Sequence, residues 1–208
     1  TQPPVDETRR DRGADPPLGW ALLLPLVFAA VCLGSLFGAT EVVTVAFAEE
    51  QGSPGATGPL LAGWAAGSLI AGLITGAVNL KSSASKRYRL GAVGMGCAMV
   101  PLPFVDGLAV LAVALFVAGF AISPTMVASV SLVESNVPAS RLTEGITWLL
   151  TGLGLGIAPG AAIAGRLIDE FGASPAYYVP VVSGVLAAVI AVLTPARTSE
   201  HTPALSPN

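Results

Sequence analysis

Only one histidine occurs in the 208 residues, and it stands at position 201 in a polar tail. Ser-His catalysis is therefore missing from the apolar body of the chain, because the general base of such a site must share a fold with its nucleophile. No HExxH, no GxxxxGK(S/T) and no GxGxxG opening a helix after a strand is present, so zinc-peptidase, nucleoside-triphosphate and dinucleotide chemistry lack their parts. No enzymatic activity, cofactor or metal is expected. The two cysteines, Cys32 and Cys97, lie in apolar runs with neither CxxC spacing nor a neighbouring histidine, and read as small buried residues rather than a disulfide or metal site. Charge is also scarce, at 11% of residues against about a quarter in soluble domains. With a formal net charge of −3, nucleic acid is not an expected partner.

What remains is apolar. Hydrophobic residues make up 53% of the chain and mean hydropathy is +0.73, so the expected solvent is lipid. A hydrocarbon layer about 30 Å thick needs roughly 20 apolar residues in a helix. Six stretches qualify: Leu18 to Ala48, Leu60 to Leu80, Tyr88 to Val105, Leu108 to Val133, Ile146 to Ile168 and Tyr177 to Leu193. Turn residues separate them, as in Gly52-Ser53-Pro54-Gly55 and Gly172-Ala173-Ser174-Pro175. The expected fold is all-α, a polytopic bundle of six transmembrane helices over residues 18–195. Residues 1–17 form a polar, proline-rich linker without a signal-peptide pattern, and residues 196–208 a disordered tail.

Cytoplasmic loops accumulate Lys and Arg. With six spans, nine of the ten basic residues fall on the side of the two termini: Arg9, Arg10, Arg12, Lys81, Lys86, Arg87, Arg89, Arg141 and Arg197. Only Arg166 falls opposite, with Glu49, Glu50, Asp106, Asp169 and Glu170. Both termini are thus expected to be cytoplasmic, in a multi-pass protein of the cell (plasma) membrane. A wrong helix count would scramble the bias, so the split also supports six crossings.

Small residues spaced by four let helix backbones approach closely. Gly63, Gly67, Gly72 and Gly76 in the second stretch and Gly152, Gly156 and Gly160 in the fifth predict two tightly packed helices. Pro25, Pro124, Pro159 and Pro180 lie inside spans, where kinks are expected.

Glu41 is the main functional candidate, since an ionisable group inside a span is costly and commonly faces a bundle interior or wet cavity. It has two readings, a proton-coupling or substrate-contacting group helped by the hydroxyls of Thr40 and Thr44, or a structural carboxylate that snorkels outward or pairs with another helix. Glu134, Arg141 and Glu144 flank the passage between the fourth and fifth spans, and Arg166, Asp169 and Glu170 cluster at the far end of the fifth. These are candidate gate charges, the alternative being solvated loop charges. Trp64 and Trp148 read as interfacial anchors, and Asn79 as a helix-end residue.

The segments Arg141-Leu-Thr-Glu144-Gly-Ile-Thr-Trp148, Thr151-Gly-Leu-Gly-Leu-Gly156 and Gly160-Ala-Ala-Ile-Ala-Gly165-Arg-Leu-Ile-Asp169-Glu-Phe-Gly172 resemble the penultimate helix of a major facilitator superfamily transporter. That helix is glycine-rich and closes with a G-x-x-x-x-G-x-L-x-D-x-x-G turn. Leu60-Leu-Ala-Gly-Trp-Ala-Ala-Gly67-Ser-Leu-Ile-Ala-Gly72 is similar to the family's glycine-rich second helix. The loop after it, Gly76-Ala-Val-Asn79-Leu-Lys81, lacks the family's aspartate and keeps only the basic cluster at Lys86-Arg87-Tyr88-Arg89.

The resemblance, nearest to bacterial efflux members, covers about residues 18 to 195 and implies the C-terminal six-helix half of such a transporter. It implies six further helices before Thr1 as partner (or a second copy of this chain), alternating access around a midplane site, and proton-coupled movement of a small molecule. The competing expectation is a six-span membrane module that homodimerises or scaffolds a partner without transport.

Overall fold

The computed structural model describes residues 19–78 and 82–194. The linker, the tail, Asn79 and Lys81 lie outside these residues. Helices account for almost all of the rest: α1 (Trp20–Glu50), α2 (Thr57–Ala77), α3 (Ala84–Met99), α4 (Leu108–Gly119), α5 (Ile122–Asn136), α6 (Leu142–Phe171), α7 (Ala173–Ala176) and α8 (Tyr178–Leu193). The all-α expectation holds. Five stretches are long and apolar enough to cross a membrane: Trp20–Glu50, Pro54–Ala77, Leu108–Asn136, Ala139–Phe171 and Ala173–Leu193. The third expected span falls short of this measure. Its helix, α3, has 16 residues and stops at Met99, because Pro101 and Pro103 cannot continue it and a 3-10 turn, Leu102–Phe104, follows instead.

Proline also divides the fourth expected span, Leu108 to Val133, and sets the short α7 apart from the sixth. A proline ring clashes with the carbonyl four residues earlier. For Pro124 that is Phe120, and for Pro180 it is Ala176, and the chain breaks between α4 and α5 and between α7 and α8 at these points. Pro25 and Pro159 are carried inside α1 and α6.

Contacts set the directions of the helices. Gly152, Gly156 and Gly160 face Val27, Val31 and Ser35 in turn, so α6 runs parallel to α1. Thr44 meets Tyr177 and Ser35 meets Ser183, so α8 runs antiparallel to α1. The sulfur of Met99 accepts from Thr40, and Leu36 and Gly96 share Gly184 as a neighbour, which sets α3 parallel to α1. Thr125 and Ala121 meet Gly91 and Gly94, so α4 and α5 run against α3 and alongside α2.

The same contacts reveal an internal repeat. Gly34 abuts the carbonyl of Leu153, and Gly156 that of Val31; Gly119 abuts the carbonyl of Trp64, and Gly67 that of Phe116. The α1–α6 seam therefore recurs, with the same three-residue spacing, as the seam between α4 and α2. The remaining pair, α3 and α8, crosses where a Cβ on Gly96 or Gly184 would stand 3.0 Å from the other's backbone. A pseudo-twofold axis through this crossing exchanges α1, α6 and α8 with α4, α2 and α3. Matching helices run in opposite directions, so the axis lies across the bundle and marks its midplane.

Hydroxyl pairs tie the helices inside. Thr44 Oγ1 and Tyr177 Oη share a hydrogen bond at 3.0 Å with both residues buried. Ser35 and Ser183 pair at 3.0 Å, and Ser68 and Ser123 at 2.8 Å. Interhelical hydrogen bonds in membranes contribute about 0.6 kcal/mol on average, with a maximum near 1.7. A double-mutant cycle of Thr44→Val and Tyr177→Phe, read by SDS unfolding, is expected to give a coupling of about 0.5–1.5 kcal/mol.

Candidate functional site

Glu41 lies on the exposed side of α1. Its depth follows from the repeat. Leu36 Cδ1 packs over Gly184 at the crossing that marks the midplane, and Glu41 is five residues further along α1. At 1.5 Å per residue it stands about 7.5 Å from the midplane, inside a hydrocarbon half-thickness of about 15 Å. The carboxylate thus belongs to the apolar depth of the bundle and not to the headgroup level.

One turn back on the same helix face, Phe37 packs against Trp64 of α2 with ring centroids 5.6 Å apart. Trp64 is 6% exposed, buried in the core and not an interfacial anchor. Its carbonyl meets Gly119, the last residue of α4. Its indole Nε1 is buried without a hydrogen-bond partner among the described residues. A carboxylate in apolar depth therefore stands one turn along α1 from Phe37, which packs against a tryptophan whose indole N–H is unpartnered among the described residues. Neither is stable there without water, a ligand or another chain. Trp148, in contrast, is 42% exposed and meets Trp20 edge to face at 5.8 Å, as a tryptophan anchor does.

Thr40 and Thr44 do not join Glu41. Thr40 turns inward, donating to the Leu36 carbonyl at 2.7 Å and to the sulfur of Met99 at 3.9 Å, while Thr44 is held by Tyr177. Both are fully buried. Their hydroxyls close the α1–α3–α8 core instead of lining a surface with the carboxylate.

The candidate gate charges separate by location. Arg141 grips Glu144 one turn on, with Nη2 at 2.8 Å and Nε at 2.9 Å from the same carboxylate oxygen. This is the only ion pair among the described residues, and a half-exposed pair of this spacing contributes about 0.3–0.5 kcal/mol. Glu134 is exposed at the end of α5. Arg166 and Asp169 are exposed on α6, with no ion pair between them. Arg166 stands at the depth of Glu41, six residues beyond Gly160 as Glu41 is six beyond Ser35. It leaves on the other side of the seam, however, on the face that holds Pro159 and Ile163 beside Ser35 and Cys32.

Glu50 was not among the candidates, yet it makes the clasp at that end of the bundle. Its Oε1 accepts the N–H of Ala173 at 2.8 Å, one of the free donors at the start of α7. The chain turns there at Gly172, whose φ of +87° favours glycine. The turn at Gly172-Ala173-Ser174-Pro175 is legible in the sequence, but the distant carboxylate that caps it is not. Glu50→Gln is expected to lower stability by about 1 kcal/mol, measurable as a lower melting temperature in detergent.

Of the seven glycines expected to pack, Gly67, Gly72, Gly152, Gly156 and Gly160 do so. Gly63 and Gly76 do not: nothing lies within 4 Å of a Cβ built on either. The seam of α2 runs instead along Trp64, Gly67, Ser68, Ala71 and Gly72.

An apolar helical bundle built as an inverted repeat, with unpartnered polar groups at mid-depth, is the construction of a membrane transporter. Residues 16–207 match the family description of the Major Facilitator Superfamily, and the chain belongs to that family. No curated protein matches the chain. Family members are transporters and not enzymes, so lipid is the chain's surroundings and small molecules are its substrate class.

Proposed function

We propose that the chain is the C-terminal six-helix half of a proton-coupled secondary transporter that exports a small molecule by alternating access. In this reading α3 completes the sixth crossing with the 3-10 turn that follows it, both termini are cytoplasmic, and the protein resides in the cell membrane. The partner is an N-terminal six-helix half or a second copy. The observation that carries the reading is the pair of unpaired polar groups at mid-depth, Glu41 and the indole N–H of Trp64. A charge in lipid costs about 2.5–3.5 kcal/mol even at the low end of current scales, so a carboxylate exposed on the bundle surface at this depth, with a buried indole N–H lacking a partner among the described residues nearby, calls for a hydrated cavity closed by another set of helices. Gly63, Gly154 and Gly165, each with nothing within 4 Å of an added Cβ, leave room for close backbone approach.

The test is flux of fluorescent drug-like substrates in inverted vesicles, for this chain alone and for a form carrying six additional N-terminal spans. Proton-driven flux that an uncoupler abolishes, seen only in the longer form, supports the half-transporter. Flux from the 208 residues alone points to a dimeric transporter, and absence of flux in both favours a non-transporting module.

A further inference from the structure

A groove of about 520 Å³ opens between the end of α2, α3 and the α4–α5 break. Its walls are apolar: Leu90, Val117 and Val127 are 64%, 57% and 49% exposed, and Gly91 and Gly94 leave its floor without side chains. At one end stands Arg87, whose Nε is buried with no hydrogen-bond partner among the described residues. Arg89, two residues on, has a partner in the carbonyl of Thr194. The symmetry-related groove between α1, α6 and α8 is similarly apolar and has no cation among its lining residues. A shape that follows from the repeat thus has a cation among its lining residues at only one of its two copies, Arg166 standing beside the other on α6 without lining it.

Depth matches the charge to an amphiphile. Arg87 precedes Gly96 by nine residues, so it stands about 13.5 Å from the midplane, where the hydrocarbon of one leaflet ends at about 15 Å. From there the groove descends past Gly94 to Ala98, level with the midplane. It therefore offers a guanidinium at phosphate height and an apolar channel one leaflet deep. A soluble anion would leave the channel empty, and a zwitterionic lipid would bring its own cation to the guanidinium.

We propose that this groove binds an anionic phospholipid of the leaflet facing the α2–α3 loop. Arg87 holds the phosphate in a charge-assisted hydrogen bond, and one acyl chain lies along Leu90, Gly94 and Val127. Basic pockets between helices on the cytoplasmic side are the kind of site that anionic headgroups occupy. The site is separate from Glu41, which is on the opposite side of the midplane.

The intact protein in detergent, titrated with phosphatidylglycerol and followed by native mass spectrometry, tests this. One lipid per chain is expected to bind, with phosphatidylcholine of the same acyl chains at least about tenfold weaker. Arg87→Gln is expected to weaken phosphatidylglycerol about tenfold or more, and Lys86→Gln, an exposed neighbour, less than about twofold. Gly94→Leu leaves the charge in place but fills the channel, since a Cβ there meets only Ala121 at 3.9 Å. It is expected to cut binding as much as Arg87→Gln does. Any of these results overturns the proposal: equal binding of the two lipids, full binding by Arg87→Gln, unchanged binding by Gly94→Leu, or displacement of the lipid by inorganic phosphate at millimolar concentration. Equal losses in Lys86→Gln and Arg87→Gln also overturn it, showing attraction to a basic surface without a site.

Discussion

Gly156→Leu is expected to prevent the bundle from assembling, while Gly63→Leu leaves it intact. A Cβ at Gly156 would fall on the carbonyl oxygen of Val31 and 2.8 Å from the amide nitrogen of Ser35, both fixed backbone atoms of α1. No rotamer relieves this clash, so the helices must part. Parting at Gly156 also opens the contacts at Gly152 and Gly160, where a Cβ would stand 2.8 Å from the carbonyl oxygen of Val27 and closer still to that of Ser35. Overpacking in a well-filled core costs about 1–3 kcal/mol, occasionally more. Because one row of three glycines shares the strain, a loss of about 3 kcal/mol or more is expected. Gel filtration should show aggregated protein, and SDS unfolding should shift to low detergent fraction. At Gly63 nothing lies within 4 Å, and the change is expected to stay within about 0.5 kcal/mol. Equal stability of the two variants would mean that α1 and α6 do not meet along this row.

That contrast also marks how far the sequence could be read. The apolar runs give the order of the helices because lipid demands long hydrophobic stretches, and Gly152, Gly156 and Gly160 give a true packing row on α6. On α2 the same spacing misleads in part. Gly63-x3-Gly67 and Gly72-x3-Gly76 each contain one packed glycine and one open one, because a row of small residues gives a spacing and not a partner. In water, polar residues would mark the outer face. Here the lipid face is as apolar as the core, so Leu69 and Leu73, both more than 60% exposed, look no different in sequence from the buried Leu111 and Leu115. The spacing Gly34-x3-Gly38 in α1, which receives the carbonyls of Leu153 and Ile157, passes unnoticed for the same reason.

The site was legible as a residue and not as a place. Glu41 is conspicuous as the one acidic group within the first apolar stretch, yet counting from the helix start puts it near the headgroups. Its depth emerges only from the crossing of Gly96 and Gly184, which no linear pattern contains. Thr40 and Thr44 are neighbours in sequence, but 100° steps around the helix turn them toward α3 and α8. Trp64 reaches Phe37 through a contact between α1 and α2 that requires the folded bundle.

Glu41→Gln is expected to separate stability from coupling. On the exposed face of α1, without a partner among the described residues, the carboxylate gives the bundle nothing that glutamine would lose. Removing an uncompensated charge from apolar depth relieves a cost of a few kcal/mol, part of which water already offsets, so the variant is expected to be about 1 kcal/mol more stable in detergent. Function should move the other way, as at sites where a strained group serves activity. Glutamine occupies the same volume but cannot take up and release a proton, so proton-driven flux in the complete transporter is expected to fall at least about tenfold. Whatever flux remains should lose its dependence on the pH gradient, while substrate binding persists. A structural glutamate predicts the reverse pattern, lower stability with the flux and its pH profile unchanged. Thr40→Val provides the comparison, since its hydroxyl faces Leu36 and Met99 and should affect melting without altering the pH profile. Stability and coupling that rise or fall together in Glu41→Gln would remove the carboxylate from the transport step.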